Sequence, residues 1–237
     1  MGDLAVRARG IRKSYGEGQS RTTVLHGVDL DVELGQCMYL AGPSGSGKST
    51  FLSILGCILS PDSGRLALLG QDTSSWNERQ KANFRRRNVG FIFQRFQLFR
   101  GLRAWENVKI KLDLLGMPPE EGRSRAIGIL EALGLGPQVE RHVTELSIGQ
   151  LQRVAVARAL AGDPDLILAD EPTASLDAES GSKAIRLLHQ LAEAGKAVLI
   201  VTHDERILRQ AGCIVRLEDG HIKSTESKSM STELTPT

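Results

Sequence analysis

The sequence has little cysteine, no long apolar run and almost no net charge, and each shortage excludes something. Cys37, Cys57 and Cys213 are its only three cysteines. Their odd number and scattered positions fit neither a disulfide framework nor metal-ligand spacing, which argues for reduced thiols in a cytosol. No apolar run approaches the ~20 residues that a membrane-crossing helix needs, and the N-terminus has no apolar signal region. The chain therefore reads as soluble by itself, with any membrane role exercised through a partner. The 30 Lys and Arg nearly cancel the 28 Asp and Glu, leaving +2. That balance gives no electrostatic case for nucleic acid. No internal repeat is visible. What is present is ordinary globular material: 41% hydrophobic and 24% charged residues over 237 positions. That is enough for one large domain or two lobes.

The chemistry concentrates at Gly42-Pro-Ser-Gly-Ser-Gly-Lys-Ser49, followed by Thr50. This run fits G-x-x-x-x-G-K-[ST], a phosphate-binding loop. The apolar residues 37–41 before it predict a buried strand, and residues 50–59 after it are apolar at helical spacing. Gly42, Gly45 and Gly47 permit turns that a Cβ would obstruct. Loop N–H groups can then face phosphate oxygens at the positive end of the helix. Lys48 is placed to bridge the β- and γ-phosphates, and the Ser49 hydroxyl to ligate Mg²⁺.

Upstream, residues 4–9 and 24–34 alternate apolar and polar residues, as half-exposed strands do. In the second, Val28, Leu30, Val32 and Leu34 share one face. Tyr15 lies between them, either an ordinary strand-end aromatic or a flat platform for a nucleotide base. Downstream, residues 65–70 predict a strand that closes a small β lobe. Ser74 or Ser75 is the expected cap of the next helix, and Arg85, Arg86 and Arg87 read as its solvated face. Residues 89–93 predict a buried strand ending at Gln94. The Gln94 amide is either a polar terminus or a sensor of Mg²⁺ and the γ-phosphate.

From residue 95 to 162 the pattern turns helical, with helices expected at 105–115, 121–133 and 150–161. Ser147 sits where the cap of the third belongs. It either caps a helix and nothing more, or offers its hydroxyl, with the Gly149 N–H, to a phosphate. Residues 166–169 are apolar and lead into Asp170 and Glu171. Charge at the end of a buried strand must be compensated. Asp170 is suited to hold Mg²⁺ through water, and Glu171 to polarise an attacking water. A helix at 178–194 and a core strand at 197–202 follow, then His203, which is either incidental or a donor to a γ-phosphate oxygen. Residues 214–217 and 220–222 suggest a terminal hairpin.

With these segments in this order, the chain resembles the nucleotide-binding subunit of an ABC transporter over about residues 4–223. The resemblance implies an α/β fold: a P-loop NTPase (RecA-like) core, a small antiparallel β lobe and a helical lobe inserted at about residues 95–162. It implies one nucleotide-binding domain over residues 1–223 and a disordered tail over 224–237. Its cofactors would be ATP and Mg²⁺. Position by position, Tyr15 matches the adenine-stacking loop. Gly42, Pro43, Ser44, Gly45, Ser46, Gly47, Lys48, Ser49 and Thr50 match the Walker A loop. Gln94 matches the Q-loop, and Ser147, Gly149 and Gln150 fall in the signature LSGGQ. Asp170 matches the Walker B aspartate, Glu171 the catalytic glutamate, Asp177 the end of the D-loop and His203 the switch histidine. Catalysis would then fall to Glu171, His203, Lys48 and Gln94, with the metal held by Ser49, Gln94 and Asp170.

The family works as a head-to-tail dimer, so a homodimer is implied, with each ATP between Walker A of one subunit and the signature of the other. A groove between the lobes would receive a helix of the permease. Residues 95–103, with Phe96, Leu98 and Phe99, are its expected wall, though plain core suits these aromatics as well. Ile148 departs from the family, which has glycine there. A β-branched residue fits a positive φ poorly, but the phosphate-facing Ser147 and Gly149 are both retained, so a working site is expected with its rate open to change.

Residues 91–99 and 168–181 are similar to the MacB, lipoprotein-release (Lol) and DevA-type group. That implies export, or extraction from the inner membrane, powered from the membrane's cytoplasmic face. The permease is expected on a separate chain, with a periplasmic adaptor and an outer-membrane duct, and without nucleic acid. A regulatory ATPase of the cell-division type, controlling cell-wall hydrolases without transport, shares the fold and chemistry and stays open.

Overall fold

The computed structural model describes residues 3–227. In chain order, β1 (Leu4–Tyr15), β2 (Thr22–Glu33), β3 (Cys37–Ala41), α1 (Lys48–Leu55), β4 (Ser63–Leu68), β5 (Gln71–Asp72), α2 (Glu78–Asn88) and β6 (Val89–Ile92) come first. Three helices follow: α3 (Ala104–Leu114), α4 (Pro119–Ala132) and α5 (Ile148–Leu160). Then come β7 (Leu166–Asp170), α6 (Ala178–Glu193), β8 (Ala197–Thr202), α7 (Glu205–Leu208), β9 (Cys213–Glu218) and β10 (His221–Ser227).

The apolar runs of β3, β7 and β8 have no polar face to show to water. They therefore lie in a sheet covered on both sides, as parallel strands do. Its order is β10-β9-β3-β8-β7-β6, with β9, β3, β8, β7 and β6 mutually parallel and β10 antiparallel at one edge. The register pairs Ala41 with Thr202, Asp170 with Val201 and Ile92 with Ala169. Four strands thus end at one edge of the sheet, and the residues following each end emerge together. The alternating strands β1 and β2 form a second, antiparallel sheet in the order β2-β1-β4-β5. It bears on one face of the parallel sheet through Val6, Val28 and Val32, all essentially inaccessible.

α3 and α4 share a core of their own with part of α5, including Val108, Leu112, Leu130 and Val154. α5 also turns Val156 and Ala159 toward Ile92 and Ile167 of the parallel sheet. It therefore belongs to both lobes. No described helix is long and apolar enough to cross a membrane.

Several local expectations need correction. α1 ends at Leu55 rather than near residue 59. Cys57 takes a left-handed φ of 54°, and the N–H groups of Ile58 and Leu59 fold back to the Ser53 carbonyl. Leu34 lies beyond the end of β2 and is 37% exposed, so it leaves the buried face of Val28, Leu30 and Val32. The cap of α2 is Asn77, not Ser74 or Ser75. Asn77 Oδ1 accepts from the Gln80 N–H at 2.9 Å, and Gln80 Oε1 accepts from the Asn77 N–H at 2.9 Å, a reciprocal capping box. Ser74 is instead held in a turn by Asp72.

Arg85 and Arg86 are not a solvated face. Arg85 donates to the Cys57 carbonyl and Arg86 to the Leu114 carbonyl, at the C-terminal ends of α1 and α3. Arg87 is exposed as expected. β10 extends to Ser227, so residues 224–227 are strand rather than tail. The remainder of the expected tail, residues 228–237, lies outside the described residues.

Replacing Asn77 by Ala removes the side-chain acceptor of the Gln80 N–H at the start of α2. The expected loss is about 1 kcal/mol of stability, read as a lower urea midpoint with an unchanged m-value.

Candidate functional site

The residues that leave the shared sheet edge surround a cleft of about 510 Å³. Its floor is the loop between β3 and α1. Two glycines there are dictated by space. A Cβ on Gly42 would lie 2.0 Å from the Leu217 carbonyl oxygen, and one on Gly47, at φ +99°, would lie 2.8 Å from a Leu25 methyl. The loop is thus pressed against both sheets. Gly47 precedes α1 with no side-chain cap, so the first N–H groups of the helix carry the positive end of its dipole toward the cleft.

Lys48 Nζ curls back over the loop, donating to the carbonyls of Gly42 at 2.8 Å and Pro43 at 2.7 Å. Burial lowers its pKa, against the opposing pull of Glu171 and Asp170. A buried cation held by neutral oxygens, the two carbonyls and the Ser46 hydroxyl, favours an anionic ligand.

Ser49 Oγ donates to Asp170 Oδ1 at 3.1 Å, joining the start of α1 to the end of β7. Burial raises the Asp170 pKa, with the Ser49 hydrogen bond pulling the other way. Glu171 sits one residue on in a left-handed conformation, φ 46°, anchored by its N–H to the Val201 carbonyl at 2.9 Å. A non-glycine residue there costs about 1 kcal/mol or more. That turn brings its carboxylate to Thr202 Oγ1 at 3.3 Å and His203 Nδ1 at 2.5 Å. Gln94, past the end of β6, also lines the cleft with Lys48, Glu171 and His203.

The predicted residues Ser44, Gly45, Gly47, Lys48, Ser49, Thr50, Gln94, Glu171 and His203 therefore meet in one cleft. Asp170 joins it through Ser49, and Gly42, Pro43 and Ser46 through Lys48. Tyr15, Ser147, Gly149, Gln150 and Asp177 are not among the lining residues. Tyr15 is 44% exposed at the end of β1. Ser147 caps α5 in a second reciprocal box with Gln150. Asp177 caps α6, accepting from the Ser180 N–H at 2.9 Å. Ile148 is the first residue of α5 and does not have a positive φ. The expected conflict with its branched side chain does not arise, because the helix begins there. Sequence reasoning missed Thr202, a polar residue closing an otherwise apolar strand, and Val24, whose backbone and side chain bound the loop.

Comparison with known proteins agrees with this geometry. A family described as "ABC transporter" matches residues 25–174. The chain belongs to that family. It is 42% identical to an uncharacterised ABC transporter ATP-binding protein of Thermotoga maritima, over 93% of this chain and 94% of that one. It is 43% identical to the macrolide export ATP-binding/permease protein MacB of Nitrosomonas europaea, over 92% of this chain but only 33% of that protein. The chain thus spans about a third of its MacB relatives. A post-hydrolysis dimer of the ATP-binding cassette MJ0796, bound to ADP and Pi, superposes with a TM-score of 0.88 and 38% identity, covering 94% of this chain and 99% of that one. The expected ABC ATPase fold is the one found, and the chain is an ATP-binding and hydrolysing component of an ABC transporter.

The residues present also fit Mg²⁺. Ser49 and Asp170 place two hard oxygen donors side by side, and Gln94 faces the same cleft. Among the described residues no cluster of three or more His, Cys, Asp or Glu forms a metal cage. Mg²⁺ needs none, since it is usually held by one or two carboxylates, waters and the substrate's phosphates.

Two outcomes are expected. Lys48→Ala loses nucleotide binding, and near-normal hydrolysis by that variant would exclude the loop as the phosphate site. Ile148→Gly changes turnover by less than tenfold, about 1.4 kcal/mol of barrier, measured as kcat for ATP at saturation.

Proposed function

We propose that this chain is the ATPase motor of an exporter or extractor of the MacB, Lol and DevA kind, driving a permease carried on another polypeptide. The observation that carries the dimeric part of this reading is a separation. The Ser147 to Gln150 segment does not line the cleft of its own chain, and Ile148 beside it is 53% exposed. A phosphate site built of Lys48 on one side only is half a site. A second copy, placed head to tail, supplies Ser147 and Gly149 to the other face of the γ-phosphate. Tyr15 stacks the base, and Asp177 lies at the contact between copies.

In the closed pair, Lys48 and the loop N–H groups hold the phosphates. Ser49, Asp170 and Gln94 would hold Mg²⁺, which would supply positive charge against the phosphates. Glu171 takes a proton from the attacking water. His203 orients Glu171 through their hydrogen bond and is within reach of the same cleft.

The permease would seat in a groove of about 1100 Å³ between α2 and α3, where Ile58, Phe99 and Leu114 are exposed. Gln97 and Phe99, of the expected wall, line it, while Leu98 packs on the helical-lobe core. Such a motor would act at the cytoplasmic face of the inner membrane, with an adaptor and outer-membrane duct as further partners. The similarity to MacB relatives supports the export direction.

Glu171→Gln tests the mechanism. It should keep ATP binding, lower kcat by about 100-fold or more, and accumulate an ATP-bound dimer on size exclusion. A variant that never dimerises with ATP, even beside its permease, would exclude the head-to-tail site.

A further inference from the structure

The loop that carries Gln94 leaves the sheet through an unusual turn. Phe96 and Gln97 are consecutive non-glycine residues in the left-handed region, at φ 56° and 50°. Each such conformation is unfavourable for a residue with a Cβ and persists only where its surroundings determine it. What determines it here is Arg158, on the last turn of α5. Its guanidinium donates from Nη2 to the Phe96 carbonyl at 2.7 Å and from Nη1 to the Gln97 carbonyl. Arg158 is half-buried on the wall of the groove beside α2 and α3, and burial lowers its pKa. Among the described residues it hydrogen-bonds to these two carbonyls and to no carboxylate. A planar fork that meets two successive carbonyls fixes a backbone direction as a lysine's point charge does not.

A few residues on, buried Asn107 of α3 accepts from the Phe99 N–H at 2.8 Å and donates to the Arg103 carbonyl at 3.0 Å. The exit of the loop is therefore tied to the helical lobe at both ends: the N–H groups of the left-handed pair turn back to the Phe93 and Arg95 carbonyls, and Arg158 holds the pair's own carbonyls to α5. α5 is also the helix whose other end is Ser147. The span from Ser147 to Arg158 is eleven residues, roughly 16 Å of rigid helix at 1.5 Å per residue.

We propose that Arg158 is a positioning residue that locks the Gln94 loop of each subunit to the helix bearing Ser147. The inference rests on the reading of Gln94 as a γ-phosphate and metal sensor. Arg158 holds the carbonyls of Phe96 and Gln97, just beyond Gln94, and so fixes where the loop leaves β6. Arg158 does not line the phosphate cleft, so its loss should leave ground-state binding alone.

The test is a double-mutant cycle on the full chain, reading ATP affinity with a fluorescent ATP analogue, single-turnover hydrolysis and melting temperature. Arg158→Met should keep analogue affinity within twofold and lower the hydrolysis rate about tenfold or more. Arg158→Lys, which keeps the charge, should restore the melting temperature but only part of the rate. Gln94→Ala should lower the rate by itself, and adding it to Arg158→Met should cost little more. Wild-type turnover in Arg158→Met, or losses that multiply in the double variant, would overturn the lock. So would full rescue of rate together with melting temperature by lysine, the mark of a purely structural cation. A Gln94→Ala variant with normal turnover would instead overturn the sensor reading itself, so the two failures are distinguishable.

Discussion

The parallel register of the central sheet is the constraint on which the rest depends. Parallel strands cannot be joined by a tight turn and need crossovers of about a dozen residues or more. Because β3, β6, β7 and β8 all run one way, whatever follows each of them emerges at the same edge. Residues as distant as Lys48, Gln94, Glu171 and His203 are thereby gathered in one cleft without any local sequence relation. Open α/β sheets place ligands outside the carboxyl ends of their strands for this reason. The antiparallel sheet then closes the cleft from below. Its contribution is steric, in that Val24 and Leu25 leave no room for a Cβ at Gly47.

Within the cleft, burial acts in opposite senses on the two signs of charge. It lowers the pKa of Lys48 and raises that of Asp170, disfavouring the charged form in both cases. The groups sit close enough to oppose that effect in one another, but neither is engaged in a direct salt bridge. A ligand that brings both an anionic phosphate and a divalent cation stabilises both charged forms at once. This is the physical sense in which the site suits a metal–nucleotide complex better than either component alone.

The parts of the fold that were legible in the sequence were those with a single dominant signal. The runs at β3, β7 and β8 could only be buried strands, the glycine loop, Asp170 and Glu171 stood at their boundaries, and Ser147 stood at the start of a helix. What was not legible depended on tertiary partners. Asn77 outranks Ser74 and Ser75 as a cap because Gln80 answers it, and because Asp72 takes Ser74 into a turn. Arg85 and Arg86 look like surface charge until the ends of α1 and α3 arrive beside them. Ile148 was read as a backbone conflict because a motif position was taken for a conformational one. Thr202 and Arg158 carried no local pattern at all. Each matters through a partner roughly thirty or sixty positions away.

α5 shows why the helical lobe cannot be an independent module. Its Val154 and Ala157 belong to the lobe's core, while Val156 and Ala159 pack on the sheet. Those two faces alternate along one helix, so α5 cannot shift with the lobe without disturbing its contacts with β6. Arg158 stands on the same helix and holds the chain that leaves β6. A rotation of the lobe is therefore not free sliding of packed surfaces. It must be taken up in the loop between β6 and α3, where Phe96 and Gln97 already sit in the left-handed region. Motion between the lobes and the position of Gln94 are consequently one coordinate.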